Sequence, residues 1–206
     1  MNYLDFFLKA FVTIFVIVDP PGNIPLFMSL TESASDEERN TVSKKATLIA
    51  AVLLLFIVLT GNFILEVFRI TLDGLRIAGG ILLFVISIDI LMGERRKRKY
   101  VEEGRESIDT DTLATFPIAL PLYTGPGAIT AGIVLYSTAE TMIPKLLVIL
   151  SIVVTYLIVR VTHMYSDKII GLLGKSGSNI VARLMAIFLA AIAVEYFFAG
   201  VMGKLA

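Results

Sequence analysis

Val18-Asp19-Pro20-Pro21-Gly22-Asn23-Ile24-Pro25-Leu26-Phe27 sits inside an apolar run extending from about residue 4 to about residue 30. Its three prolines lack backbone N–H donors and clash with the preceding turn, so no continuous α-helix passes through it. The run is still long enough to cross a hydrocarbon layer of about 30 Å, which takes roughly 20 residues at about 1.5 Å each. Asp19-Pro20-Pro21-Gly22-Asn23 is not a small-residue cleavage site, so the segment reads as a retained but broken membrane span and not as a signal peptide. Unpaired backbone groups in lipid cost several kcal/mol each, so the break must face protein or an aqueous cavity.

Five further apolar stretches of spanning length follow, at about 45–66, 73–93, 113–137, 143–164 and 179–203. With 56% hydrophobic and only 17% charged residues, the chain is more apolar than a soluble domain, and the charges cluster between the stretches. The expected fold is an all-α integral membrane protein, a single transmembrane domain over 1–206 with six helices. Lys+Arg and Asp+Glu balance at 18 each, so no global field draws the chain to nucleic acid. There is no cysteine, hence no disulfide framework and no thiolate metal site.

The fourth stretch repeats the device of the first. Pro117, Pro121 and Pro126, with Gly125 and Gly127, interrupt it within Pro121-Leu122-Tyr123-Thr124-Gly125-Pro126-Gly127-Ala128-Ile129-Thr130, and Pro21-Gly22 and Pro126-Gly127 lie 105 residues apart. Arg76 and Arg183, like Gly93 and Gly200, are 107 apart, and each pair frames an apolar stretch holding one acid, Asp89 or Glu195. Two similar halves are expected, 1–93 and 113–206, joined by a connector at 94–112. Three spans per half make the repeats inverted, the arrangement of many secondary transporters that work by alternating access. The basic run Arg95-Arg96-Lys97-Arg98-Lys99 places that connector in the cytoplasm and both termini outside, leaving thirteen of the 18 Lys and Arg residues inside. The expected location is the cell membrane.

A broken helix offers a new N-terminus that attracts anions and a new C-terminus that suits cations, so two facing breaks could hold a small zwitterion. Asp19, Gly22, Asn23, Thr124, Gly125, Gly127, Ala128 and Thr130 are the candidate substrate-binding residues. The bland alternative is that Asp19 and Asn23 only cap the half-helices. Charges inside a membrane are costly and usually paired or functional. Arg76 with Glu195, and Arg183 with Asp89, are candidate ion pairs or coupling groups if the third and sixth spans neighbour each other. His163, the only histidine, lies near Arg160 and Lys168 at the end of the fifth span and reads first as an interface anchor, with a proton relay as the alternative. Tyr156, like Tyr100, Tyr165 and Tyr196, reads as interface or core packing.

The two broken segments resemble the signatures of the MarC family, also described as SnatA-like neutral amino acid transporters. Asp19-Pro20-Pro21-Gly22-Asn23-Ile24-Pro25 is similar to that family's Asp-Pro-x-Gly-Asn-x-Pro motif, and Pro121 to Thr130 looks like its second signature. The resemblance covers nearly the full chain and implies transport of glycine, alanine and similar small neutral amino acids, linked to the proton gradient. An exporter or channel for other small solutes, or a non-transport scaffold, shares the structural argument. No His-Glu-x-x-His, Gly-x-Gly-Asp or nucleotide-binding motif is present, so neither an enzyme nor a metal or other cofactor is expected. The expected partners are the lipid bilayer, a zwitterionic substrate and, through small-residue helix faces, further copies of the chain.

Overall fold

The computed structural model describes residues 2–92 and 110–205 of the chain, and among them there is no strand. The basic run Arg95–Lys99 and nearly all of the 94–112 connector lie outside the described residues. In chain order the elements are α1 (Tyr3–Val18), α2 (Ile24–Leu30), α3 (Asp36–Val67), α4 (Leu72–Met92) and α5 (Thr110–Leu113). An irregularly wound segment, Ala114–Tyr123, then leads to α6 (Pro126–Ser137), α7 (Met142–Met164) and α8 (Ser166–Leu205). Gly174 takes φ +65°, bending α8 so that Ser176–Leu205 is its membrane-length part. A side chain would disfavour that left-handed conformation.

Among the described residues, length and composition give four helices able to cross a membrane, α3, α4, α7 and Ser176–Leu205, and a fifth if Thr110–Tyr123 and Pro126–Ser137 count as one span bent by 58°. The expected sixth differs for a physical reason. α1 has only 16 residues, about 24 Å, and the chain gains the missing length only by resuming as α2 after the break.

α3 begins at Asp36, well before the apolar stretch, because Ser35 closes a capping box. The Ser35 hydroxyl accepts the Glu38 N–H, and the Glu38 carboxylate accepts the Ser35 N–H at 2.8 Å. Both faces of the helix are apolar beyond this. Ala46, Ala50, Leu54 and Val58 are buried inward, while Leu48, Val52, Phe56, Leu59 and Phe63 are exposed along the opposite stripe. A helix apolar all round with one face uncovered is solvated by lipid.

α4 packs along α8 over the most extensive helix–helix contact of the bundle. α1 and α3 both lie against α7, α3 also against α6 and the 114–123 segment, and α4 against α6. The two broken segments are thus enclosed between these long helices. The start of α3 meets the end of α7 and the start of α8 at one end of the bundle, where Arg39 pairs with Asp167 of α8 at 3.2 Å. Lys45 pairs with Asp111 at the same end, the end from which the 94–112 connector departs.

Candidate functional site

The first break is closed upon itself. Asp19 ends α1 in the left-handed region with φ 51°, its N–H donating to the Phe15 carbonyl at 2.8 Å. Its carboxylate accepts the Gly22 N–H at 3.0 Å, and the Asn23 side-chain amide donates to the Val18 carbonyl at 2.9 Å. Both side chains are buried. Backbone groups freed by the prolines therefore find partners within the turn. Gly22 belongs to this closure, since a Cβ there would stand 2.1 Å from the Asp19 carboxylate.

The second break is built differently. Phe116 and Leu120 are extended (φ −136° and −133°), as residues before proline prefer, because the ring of Pro117 or Pro121 blocks the helical conformation. The Thr124 N–H reaches back to the Ala119 carbonyl at 2.9 Å, a wider turn than that of an α-helix. Gly125 is the N-cap of α6 and Pro126 its first residue, where the missing N–H does no harm. The amides of Gly127 and Ala128 then fall in the first turn, where no intrahelical acceptor exists. Thr124 is fully buried. Its hydroxyl donates to the Ala50 carbonyl of α3 at 2.9 Å and lies 2.9 Å from the Tyr156 hydroxyl, which in turn lies 3.2 Å from the Tyr123 carbonyl.

A cavity of about 440 Å³ lies against this second break. Its walls are Pro121–Tyr123 and Gly125–Ala128 on one side, and Leu82, Leu83, Val85, Ile86 and Asp89 of α4 on the other, with Ile17 and Leu189 completing it. Of the expected binding residues, Gly125, Gly127 and Ala128 line it. Asp19, Gly22, Asn23, Thr124 and Thr130 do not. Gly127 makes the close approach possible, because a Cβ there would fall 2.2 Å from the Leu83 side chain. Thr130 packs instead on α4 at Gly79, where a Cβ would fall 2.0 Å from its methyl.

Asp89 is half-buried and is the one ionisable residue of the cavity lining apart from Tyr123. Among the described residues it forms no ion pair, and the expected pairs Arg76–Glu195 and Arg183–Asp89 are not formed. Arg76 bonds to Asp73 one turn earlier at 2.7 Å. α4 and α8 are neighbours as anticipated, but they meet through Gly80, Ala193 and Gly200. Arg183 and Glu195 lie on exposed positions of α8.

His163 corrects the sequence reading most. It is 3% exposed and belongs to no interface. Nδ1 lies 3.0 Å from the Ser43 hydroxyl of α3, and Nε2 lies 2.6 Å from the Tyr123 hydroxyl of the second break. Its ring is stacked on Phe27 of α2, centroids 3.7 Å apart at an interplanar angle of 5°. Arg160, one turn earlier on α7, donates to the same Ser43 hydroxyl at 2.8 Å and also bonds Asn40. One imidazole thus touches both broken segments and both long helices that frame them. Sequence reasoning missed this role because its ring partners at 27, 43 and 123 are adjacent only after folding. The available signal was the pairing of a lone His with an Arg three residues earlier inside an apolar stretch.

The chain matches the model of the family described as MarC family integral membrane protein over residues 4–205. A UPF0056 membrane protein of Archaeoglobus fulgidus is 57% identical over 204 residues, covering 99% of this chain and 96% of its own length. The UPF0056 membrane protein YhcE of Escherichia coli is 30% identical over 207 residues, covering 98% of this chain and 95% of its own. No solved structure matches at comparable significance. A lipid-solvated bundle with two proline-broken segments, matched along nearly its whole length, belongs to the MarC family of multi-pass integral membrane proteins.

Proposed function

We propose that the chain is a secondary active transporter of small neutral amino acids of the glycine and alanine class, with the cavity beside the second break as its substrate site. The observation that carries this reading is the pairing of opposite features across one cavity. Gly127 and Ala128, in the first turn of α6, line one wall and Asp89 of α4 lines the other. A helix N-terminus favours an anionic group and a carboxylate favours an ammonium, so the two walls complement a zwitterion. The remaining lining is apolar apart from backbone and Tyr123, and the volume falls in the range of small-molecule sites, roughly 300–1,000 Å³.

The inverted-repeat reading is supported by the pattern of helix contacts. Exchanging the α1/α2 segment with the 114–123/α6 segment, α3 with α7, and α4 with α8 carries the α1–α7 contact onto α3 with the second broken segment. It also carries the contacts of α1 and α2 with α8 onto that of α4 with α6. Two such halves rocking about the broken segments would expose the cavity to either side in turn, with the 94–112 connector and its basic run in the cytoplasm and both termini outside. Proton coupling belongs to the same proposal. Purified protein in liposomes should take up labelled alanine and glycine saturably, and faster with an imposed pH gradient. A complete absence of saturable uptake of both would overturn the reading.

A further inference from the structure

We propose that the cavity between α2 and the kink of α8 is a second binding site, separate from the one at Asp89, and that it takes a small organic ammonium ion with a short apolar body. The cavity measures about 410 Å³ and shares no lining residue with the cavity at the second break. The site does not depend on what that other cavity carries.

Ser178 lines this cavity at 4% exposure, and its buried hydroxyl has no hydrogen-bond partner among the described residues. A serine or threonine inside a helix ordinarily returns its hydroxyl to the carbonyl three or four residues earlier. Thr47, Thr60, Ser151 and Thr155 do so at 2.6–2.8 Å. At Ser178 the residue four earlier is Gly174, whose ψ of 176° turns its carbonyl out of the helical direction. The kink strands the hydroxyl. A buried polar group left unbonded is a cost that an occupant of the cavity can remove.

The rest of the lining defines the occupant. Glu32, exposed in the turn after α2, is the one charged group among the described lining residues and forms no ion pair among them. Arg39 bonds the Thr31 carbonyl beside it but is already engaged by Asp36 and Asp167. The wall therefore selects positive charge. Ser29 of α2 and Asn179 of α8 add a hydroxyl and a carboxamide, neutral acceptors suited to a cation that carries several N–H donors. Met28 and Ile170 face the same space with apolar surface, which a hydrocarbon body covers and a bare metal ion does not. An occupant would bridge the half-helix of the first break to α8, which it already touches.

Met28 makes the site readable through its ¹³C-methyl signal, assigned by its loss in Met28→Leu. With the full chain in nanodiscs at about pH 7, where an alkylamine is protonated, n-butylammonium should shift that signal saturably. Butyrate should leave it unmoved, and n-butanol should need a several-fold higher concentration, although both carry the same hydrocarbon body. Ser178→Ala is expected to weaken the ammonium ion about two- to tenfold, the range for one net hydrogen bond. Glu32→Gln should weaken it about two- to fivefold, as for an exposed ion pair. The shift must persist in Asp89→Asn, which removes the charge of the other cavity. No saturable shift, equal responses to the three probes, unchanged affinity in Ser178→Ala or Glu32→Gln, or loss of the shift in Asp89→Asn each overturns the proposal. Should a variant fail to fold, the comparison of the three probes on the wild type decides alone. No uptake enters the measurement, so failure of the transport reading and failure of this site are separate outcomes.

Discussion

Gly80 of α4 and Ala193 of α8 approach so closely that a Cβ on Gly80 would lie 2.7 Å from the Ala193 carbonyl oxygen and 2.8 Å from the Phe197 nitrogen. The obstructing atoms are backbone, so no rotamer change makes room. Gly80→Ala should therefore destabilise by about 1–3 kcal/mol, as overpacking does elsewhere. Gly171→Ala, where an added Cβ meets nothing within 4 Å, is the matched control. Apparent melting temperatures of the two variants in the same detergent check this; equal values would mean that α4 and α8 can separate without cost.

Asp89→Asn keeps the shape of the cavity wall and removes its charge. Under the proposed function the half-saturating concentration for alanine should rise on the order of tenfold or more, the loss of one charge-assisted hydrogen bond. Asp89→Glu should recover part of it. Unchanged uptake kinetics in the Asn variant would remove Asp89 from the site.

Tyr156→Phe deletes the hydroxyl between Thr124 and the Tyr123 carbonyl. A buried hydrogen bond of this kind contributes about 0.5–1.5 kcal/mol net. Tyr3→Phe, at a 52% exposed position, should change nothing measurable. Thermal unfolding of the two in parallel separates a structural hydroxyl from a decorative one.

The Glu38 carboxyl is held below its ordinary range, first by the Ser35 backbone N–H and then by the Ser35 hydroxyl. A depressed carboxyl contributes stability that is complete above the unfolded value, near 4.5, and that is lost as pH falls through the folded value. The first turn of α3 should consequently fray only on acidification below the ordinary Glu range. In Ser35→Ala the fraying should begin at higher pH. Amide exchange at residues 36–40 measured against pH reports it; identical profiles would remove the capping box as the cause.

The breaks were legible because they are local chemistry. Proline and glycine spacing placed both within the turns where they occur, and the span limits of α4 and α7 follow from apolar length alone. The early start of α3 was readable in Ser35 and Glu38 but was outweighed by the hydropathy of the stretch that follows. What the sequence could not carry was direction. Asp19 and Asn23 turn onto their own backbone, Thr124 turns to α3, and Asp89 turns to the cavity. The last two of those outcomes depend on which helix lies alongside. His163 is the extreme case, since the three partners of its ring come from segments up to 136 residues distant.

Consecutive residues of α4 carry two close crossings, Gly79 against Thr130 of α6 and Gly80 against the α8 backbone. The helix is thus held at one level by both neighbours, while Ile81, Phe84, Val85 and Ile88 leave its remaining face uncovered. Any tilt of α4 that widens the cavity at Asp89 must drag α8 with it and pivot on Thr130, so α4 and α8 form a single stiff lever whose fulcrum lies two residues from the cavity-lining Ala128.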